Sequence, residues 1–275
     1  MACPRRQDSY HCDMDIAPRR KSTNSADYQD TPQPASALAV DYPNGYHSLP
    51  HYHRRAQLLF AITGIMTIST GQGSWVVPPS RALWIPPGVD HWFRASGAVR
   101  IRTLYVEPSA ADAAGLPNRC EAVAVSPLLR ELLIRAVEIP NDYEWDGPDG
   151  FVMRLILSEI RLRPALPLNL PMPSDERARK ACAAVLSDLA HDAPLESAAR
   201  AAGLSGRSLN RLLKSETGLS FGRWQRRARL LGALERLAEG ASVLAVALDL
   251  GYDSPSAFTA MFRRELGMVP SRYFR

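Results

Sequence analysis

Cysteine is scarce in this sequence, and the few cysteines lie far apart. The four are Cys3, Cys12, Cys120 and Cys182, and no two of them form a CxxC pair. Zinc ribbons and disulfide frameworks need closely spaced or numerous cysteines, so neither is indicated. Long apolar runs are also missing, which excludes a membrane span and a secretory segment at the start. We therefore expect a protein of the reducing cytoplasm.

Acidic charge is scarce in only one half of the chain. Residues 176–275 hold 16 Lys and Arg against 10 Asp and Glu, whereas residues 1–175 hold 17 against 18. A basic domain beside a neutral one favours contact with a polyanion over the alternative, that the surplus of six charges serves only solubility. The last hundred residues are thus the part of the chain expected to bind nucleic acid.

The apolar pattern changes along the chain and marks the domains. Short apolar runs broken by Gly and Pro predict a small antiparallel barrel up to about Pro108. After Ser126, apolar residues three and four apart predict two helices, and a proline-rich stretch then predicts a linker. The predicted division is a disordered tail at 1–37, a sensor domain at 38–164, a linker at 165–175 and a helical domain at 176–275.

The helical domain contains an internal repeat. A shift of 49 positions aligns Leu213 with Phe262 and Gly218 with Gly267, and just upstream the shift is 48. Each copy has a short Ala-rich helix, a Gly suited to a left-handed turn and a second amphipathic helix. This is the helix-turn-helix pattern. Two copies in a basic domain favour DNA binding over a purely structural three-helix unit.

The residues between the apolar positions of each second helix must face outward. In the first copy they include arginine, which can bond guanine at two atoms, and asparagine, which can do the same with adenine. The second copy offers small side chains and should discriminate less, while arginines of the connecting helix should hold phosphates. The predicted DNA contacts are Arg207, Ser208, Asn210, Arg211, Arg223, Arg227, Ser256 and Thr259.

The two units resemble those of a known family. The stretches GLSGRSLNRLLKSETGLSFGRW and AVALDLGYDSPSAFTAMFRRELGMVPSRYFR closely resemble the paired signatures of the AraC/XylS family of bacterial transcription regulators. The resemblance implies base contacts from both second helices to double-stranded DNA and RNA polymerase as a partner. It also implies a barrel that senses an effector and often dimerises, with helices 126–163 as the dimer contact. Many members have Arg where this chain has Ala260, so a base contact there is not expected.

A second group of residues suggests a metal site. Alternation along a strand places His51, His53 and Gln57 on one face, pointing into the barrel. Their spacing resembles the first motif of the cupin barrel, with Gln57 in place of the usual Glu, and His91 after Pro86-Pro87-Gly88 resembles part of the second. Three imidazoles and an amide oxygen suit one divalent ion such as Ni, Co or Zn. A pocket for an organic effector, or a hydrogen-bonded core, is an equal alternative.

Together these observations predict an α+β two-domain protein: a cupin-like β-barrel with flanking helices, then an all-α domain with two helix-turn-helix units. We expect a sequence-specific transcription regulator whose barrel senses a small molecule or a metal, and no enzyme. One alternative is a metal-dependent cupin enzyme with an accessory DNA-binding domain, whose visible polar candidates are Glu107, Asp90 and Arg81. Another is a constitutive DNA-binding protein with a structural barrel.

Overall fold

The computed structural model describes residues 21–160, 168–190 and 193–273. Its strands are β1 (Ala35–Tyr42), β2 (Ala56–Ala61), β3 (Ile65–Thr70), β4 (Gly73–Val77), β5 (Arg81–Ile85), β6 (His91–Ser96), β7 (Val99–Val106), β8 (Glu121–Ala124) and β9 (Asn169–Pro171). Its helices are α1 (Pro108–Ala113), α2 (Pro127–Ala136), α3 (Pro148–Glu159), α4 (Glu176–Ser187), α5 (Leu195–Ala201), α6 (Gly206–Thr217), α7 (Phe221–Ala238), α8 (Val243–Asp249), α9 (Pro255–Leu266) and α10 (Pro270–Tyr273). Within the described ranges, no helix combines the length and apolar character needed to cross a membrane.

Two antiparallel sheets form the predicted barrel. One has the strand order β1-β7-β2-β5-β8, and the other β6-β3-β4-β9. Alternate apolar side chains of the two sheets, such as Leu59 and Ile85 from the first and Met66 and Ile68 from the second, meet in one buried cluster. The other face of the five-stranded sheet is covered by α2 and α3, the two helices predicted after Ser126.

The chain before β1 is ordered, contrary to the prediction of a disordered tail up to residue 37. A 3-10 helix spans Ser25–Tyr28, and β1 already begins at Ala35. The ring of Tyr28 is fully buried, lies 6.0 Å from the ring of Tyr105, and its hydroxyl donates to the Ser22 carbonyl at 2.7 Å. A buried aromatic side chain thus helps to order a segment of polar composition. Residues 1–20 lie outside the described residues.

The predicted linker is also partly regular structure. Residues Asn169–Pro171 form β9, which pairs with β4 at the edge of the smaller sheet. An edge strand tolerates proline because one side of its backbone makes no ladder bonds. Leu170 is buried, and the indole nitrogen of Trp224 in α7 donates to the Pro171 carbonyl at 2.8 Å. The prediction of an unstructured linker is therefore wrong for this strand, while residues 165–167 lie outside the described part.

The helical domain contains the two predicted helix-turn-helix units. Helices α5 and α6 form the first, α8 and α9 the second, and the 18-residue helix α7 joins them. Helix α7 also packs on β3, β4 and β6 of the barrel. As a result Ile65 and Val76 of the barrel belong to the same buried cluster as Leu230 and Leu234 of α7. The barrel thus contributes apolar side chains to the core of the helical domain.

Candidate metal centre and DNA interface

The three histidines selected by their spacing come together in the structure. The ring centroids of His51 and His91 lie 4.5 Å apart, and that of His53 lies 4.9 and 5.2 Å from them. One nitrogen of each ring lies within 4.8 Å of the others. The predicted strand placement is wrong, however, because β2 begins only at Ala56; His51 forms an isolated bridge with His91, and His53 follows in a loop.

A buried arginine explains why the histidines precede the strand. The guanidinium of Arg55 donates to three backbone carbonyls of the segment before β1, those of Gln29 at 3.2 Å, Thr31 at 2.6 Å and Gln33 at 2.8 Å. The backbone bends at Arg54 and Arg55, just ahead of β2, so the alternation of a strand does not extend back to His53. The Arg55 side chain anchors this bend to the segment before β1.

Backbone hydrogen bonds orient two of the imidazoles for metal binding. The Nδ1 atom of His51 lies 2.8 Å from the Leu49 carbonyl, and that of His91 lies 2.9 Å from the Val89 carbonyl. With Nδ1 donating its proton, each Nε2 carries a free lone pair. Burial lowers the pKa of His53 to about 3 and that of His91 to about 4. Both rings are therefore neutral near pH 7, as metal ligands must be.

Gln57 adds an oxygen to this group. Its side chain is 4% exposed, and its Nε2 donates to the Tyr105 hydroxyl at 3.3 Å. Its Oε1 is buried and has no hydrogen-bond partner among the described residues. Because buried polar atoms are normally satisfied, an unpartnered amide oxygen lining the same cavity as the three histidines fits a bound cation. The residues present thus fit a Ni, Co or Zn ion.

The histidines lie at one end of a cavity of about 370 Å³. The rings of Tyr42 and Tyr46 stack in its wall with centroids 4.2 Å apart, and Phe93 meets Tyr42 edge-on at 5.3 Å. No Asp, Glu, Lys or Arg lines the cavity within the described residues, so the enzyme candidates Glu107, Asp90 and Arg81 are absent from it. The aromatic wall was missed by sequence reasoning, which looked only for ligand atoms; apolar alternation along β1 and β6 was the available signal.

Two predicted base-reading residues lie free on the surface of α6. Arg207 and Arg211 are exposed. Neither guanidinium forms a hydrogen bond or ion pair with any part of the chain that the structure describes. Ser208 is half-buried, and its backbone N–H donates to the Ser205 hydroxyl, which caps the helix. One helical turn separates the two arginines, so both can enter the same major groove.

Two other predicted contacts are engaged inside the protein. Asn210 is half-buried, and its Oδ1 accepts a hydrogen bond from the Phe221 N–H at 2.9 Å, at the first residue of α7. The half-buried guanidinium of Arg227 lies 3.3 Å from the side-chain oxygen of Asn169 in β9. Burial lowers the pKa of Arg227 without making the group neutral. For these two residues the structure shows a role within the fold.

The remaining predicted contacts lie on α7 and α9. Arg223 is exposed and faces a cavity of about 680 Å³ between α7 and α9. Arg226, Arg227 and Arg264 line the same cavity, and Arg226 and Arg264 were not among the predicted contacts. In the second unit Ser256 is exposed and Thr259 half-buried on the face of α9.

Known proteins resemble both halves of the chain. Residues 34–146 match the family model described as AraC-like ligand binding domain, and residues 198–275 match a helix-turn-helix domain model. The HTH-type transcriptional regulator NimR of Escherichia coli is 34% identical over 81% of this chain and 81% of its own length. RipA of Corynebacterium glutamicum, another HTH-type transcriptional regulator, is 34% identical over 38% of this chain and 31% of its own. A solved structure of ToxT from Vibrio cholerae covers 88% of this chain and 98% of that one, with 11% identity and a TM-score of 0.38.

Proposed function

The chain belongs to the AraC family of DNA-binding transcription regulators, with an N-terminal ligand-binding domain, and from this premise we propose how it works. Helix α6 reads base edges in one major groove through Arg207 and Arg211, and α9 enters the next groove with Ser256 and Thr259. The barrel binds one divalent metal ion, and the state of that site controls DNA binding.

The observation that carries the DNA-reading proposal is the free pair of guanidiniums on α6. Most surface arginines of this chain that lie near a carboxylate pair with it, as Arg135 does with Asp149 at 3.0 Å. Arg207 and Arg211 are exposed and have no such partner in the described chain. Charged groups held in fixed helical positions without intramolecular partners are suited to an external anion or to guanine.

The metal proposal rests on the donor set. His51, His53 and His91 supply three imidazole nitrogens within 4.8 Å of one another, and the unpartnered amide oxygen of Gln57 stands where the cupin motif has a glutamate. A bound ion acts as an electrophilic centre that holds these side chains in one arrangement. We infer sensing and no catalysis, because the described lining of the cavity has no carboxylate or cationic side chain to act beside the histidines.

Two further partners belong to this proposal. Helices α2 and α3 leave Leu128, Phe151 and Leu155 exposed at 51%, 57% and 42%. Apolar side chains grouped on one side of a domain favour a contact with a second copy of the chain. RNA polymerase is the expected partner of a regulator bound to promoter DNA. Sedimentation of the full chain at several concentrations tests the first, and binding of purified polymerase to the protein–DNA complex tests the second.

Metal content is the first experiment. The full chain is equilibrated with nickel, cobalt or zinc, freed of excess ion and analysed beside the variant His51→Ala/His53→Ala. We expect about one ion per wild-type chain and none in the variant. Absence of metal from both proteins would contradict the metal proposal and direct attention to an organic effector in the same cavity.

Selection of binding sites from random-sequence DNA tests the reading mode. Two helix-turn-helix units on one rigid helix should select two short elements about 10 base pairs apart, since successive major grooves are one turn apart. The element read by α6 should be the better defined and should contain guanine, the base that arginine prefers. A single element, or no preferred sequence, would contradict the proposal.

A further inference from the structure

One arginine joins the barrel to the helix that connects the two DNA-reading units. The guanidinium of Arg94 in β6 lies 2.5 Å from a carboxylate oxygen of Glu235 in α7 and 3.1 Å from one of Glu239, the residue that caps the C-terminus of α7. The hydroxyl of Thr67, the cross-strand neighbour of Arg94 in β3, donates to the other oxygen of Glu235. We call Arg94, Thr67, Glu235 and Glu239 the latch.

The latch depends on the exact position of β6. Glu235 and Glu239 lie one helical turn apart on the same face, so their charges repel unless a cation lies between them. The side chains of Glu235 and Glu239 are 21% and 34% exposed, and that of Arg94 is 33% exposed. Solvent therefore screens the repulsion between the two carboxylates only partly. Charge-assisted bonds are short and directional, and a displacement of about 1 Å would break one of the two.

The strand that carries the latch also carries a histidine of the metal centre. Burial alternates along β6, with His91 and Phe93 facing the cavity, and Trp92 and Arg94 facing outward. The backbone of His91 is bonded in both directions to that of His51, at 2.8 and 3.0 Å. The four residues from His91 to Arg94 thus connect the cavity to α7 through one continuous strand.

The turn after β6 adds a second contact with α7. Gly97 has a φ of +75°, and a Cβ at this position would lie 2.9 Å from the carbonyl oxygen of Ala238, the last residue of α7. The backbone of the turn therefore lies directly against the end of the helix. A displacement of β6 would therefore be transmitted directly to the end of α7.

We propose that the latch transmits the state of the histidine cluster to the DNA-binding domain. An ion held by His51 and His91 would set the position of β6, and with it the contact of Arg94 with Glu235 and Glu239. Because α7 joins both reading units, its orientation against the barrel determines how the two units meet DNA. This inference rests on the metal site and the DNA-reading role proposed above.

Thermodynamic linkage supplies the experiment. The affinity of the full chain for its selected DNA site is measured with and without bound nickel, and the affinity for nickel with and without DNA. Both ratios must equal one coupling factor, which for allosteric proteins is about 5- to 150-fold. We expect Arg94→Ala to bring both ratios below about twofold while the metal content per chain stays at the wild-type value.

Arg100→Ala is the matched control. Arg100 is also an outward arginine of the barrel, but it pairs with Asp41 at 3.5 Å within the same domain. This variant should keep the wild-type coupling factor, and Glu235→Gln should lose most of it. A wild-type factor retained in Arg94→Ala overturns the latch and leaves the proposed function intact. Identical DNA affinity of metal-loaded and metal-free wild type overturns both the latch and metal control.

Discussion

The two helix-turn-helix units share one frame and differ at three points that the frame does not require. Their second helices are twelve residues each, begin after a capping serine and end at a left-handed glycine, Gly218 with φ 74° and Gly267 with φ 80°. The outward side chains near the start of each helix differ, with Arg207 and Arg211 in α6 and the small residues Ser256 and Ala260 at the matching positions of α9. The frame therefore places a helix in a groove, and the outward residues alone determine how much that helix reads.

The second difference concerns the helix that follows each unit. In the first unit Asn210 accepts the N–H of Phe221. A shift of 49 places Thr259 and Pro270 at the matching positions. Proline has no N–H, so the second unit has no donor to satisfy, and Thr259 is left available for another role. The comparison indicates that Asn210 serves to satisfy the first N–H of α7. It also explains why the second unit can have Thr259 at the matching position.

The third difference concerns the turn between the two helices of each unit, and the largest effect is expected there. Gly251 has a φ of +72°, and a Cβ there would lie 2.0 Å from the Ala190 carbonyl oxygen; Gly203, with a φ of +68°, has nothing within 4 Å. Gly251→Ala should cost about 3 kcal/mol of unfolding free energy, from left-handed strain plus a backbone clash. Gly203→Ala should cost only the strain, about 1 kcal/mol. Urea unfolding followed by circular dichroism measures both.

Equal costs for the two alanine variants would show that the segment around Ala190 yields to the new methyl group. In that case the second unit would be no more tightly packed against its surroundings than the first. The difference between the two values is the informative quantity, because the left-handed strain is common to both.

The next largest effect is on DNA affinity. Arg207→Ala and Arg211→Ala should each cost about 1–3 kcal/mol on the selected site, or about 5- to 150-fold in Kd, and relax the preference at one base. Ser256→Ala and Thr259→Ala should cost less, because small side chains discriminate bases weakly. Fluorescence anisotropy on selected and random duplexes measures this. Equal losses on both duplexes would show that the arginines only hold phosphate.

A smaller effect is expected from the two residues that differ below the reading face. Asn210→Ala leaves the Phe221 N–H without its side-chain partner and should destabilise the protein by about 1 kcal/mol, as removal of a helix cap does. Thr259→Ala should change stability by less than about 0.5 kcal/mol. Unfolding midpoints of the two variants give the comparison. An unchanged midpoint for Asn210→Ala, with lost preference for one adenine, would restore the predicted reading role.

The fold was predictable where the pattern is local. The internal repeat predicts two helix-turn-helix units, which the structure contains, and the short apolar runs broken by Gly and Pro predict the barrel strands. Strand β9 was not predictable, because its proline-rich sequence becomes a strand only by pairing with β4 and by the bond of Trp224 to Pro171. Such partners are distant in sequence and leave no periodic signal.

The candidate site shows the same limit. Spacing selected His51, His53 and His91, and the structure brings them together, yet the bend that does so depends on Arg55 bonding three carbonyls about 25 residues away. Asn210 and Arg227 were assigned to DNA from their residue types. Their internal partners, Phe221 and Asn169, could be recognised only from the packing of α7.

The smallest expected effect separates the arginines of α7 by their salt dependence. A residue that neutralises one phosphate adds about 0.9 to the slope of log affinity against log salt. Arg223→Gln should lower that slope by about this amount, because Arg223 is exposed beside the cavity between the units. Arg227→Gln should leave it unchanged, since its guanidinium is bonded to Asn169 of β9. Equal reductions of the slope in the two variants would mean that the bond between Arg227 and β9 breaks on DNA binding. The helical domain would then move away from the barrel when it binds DNA.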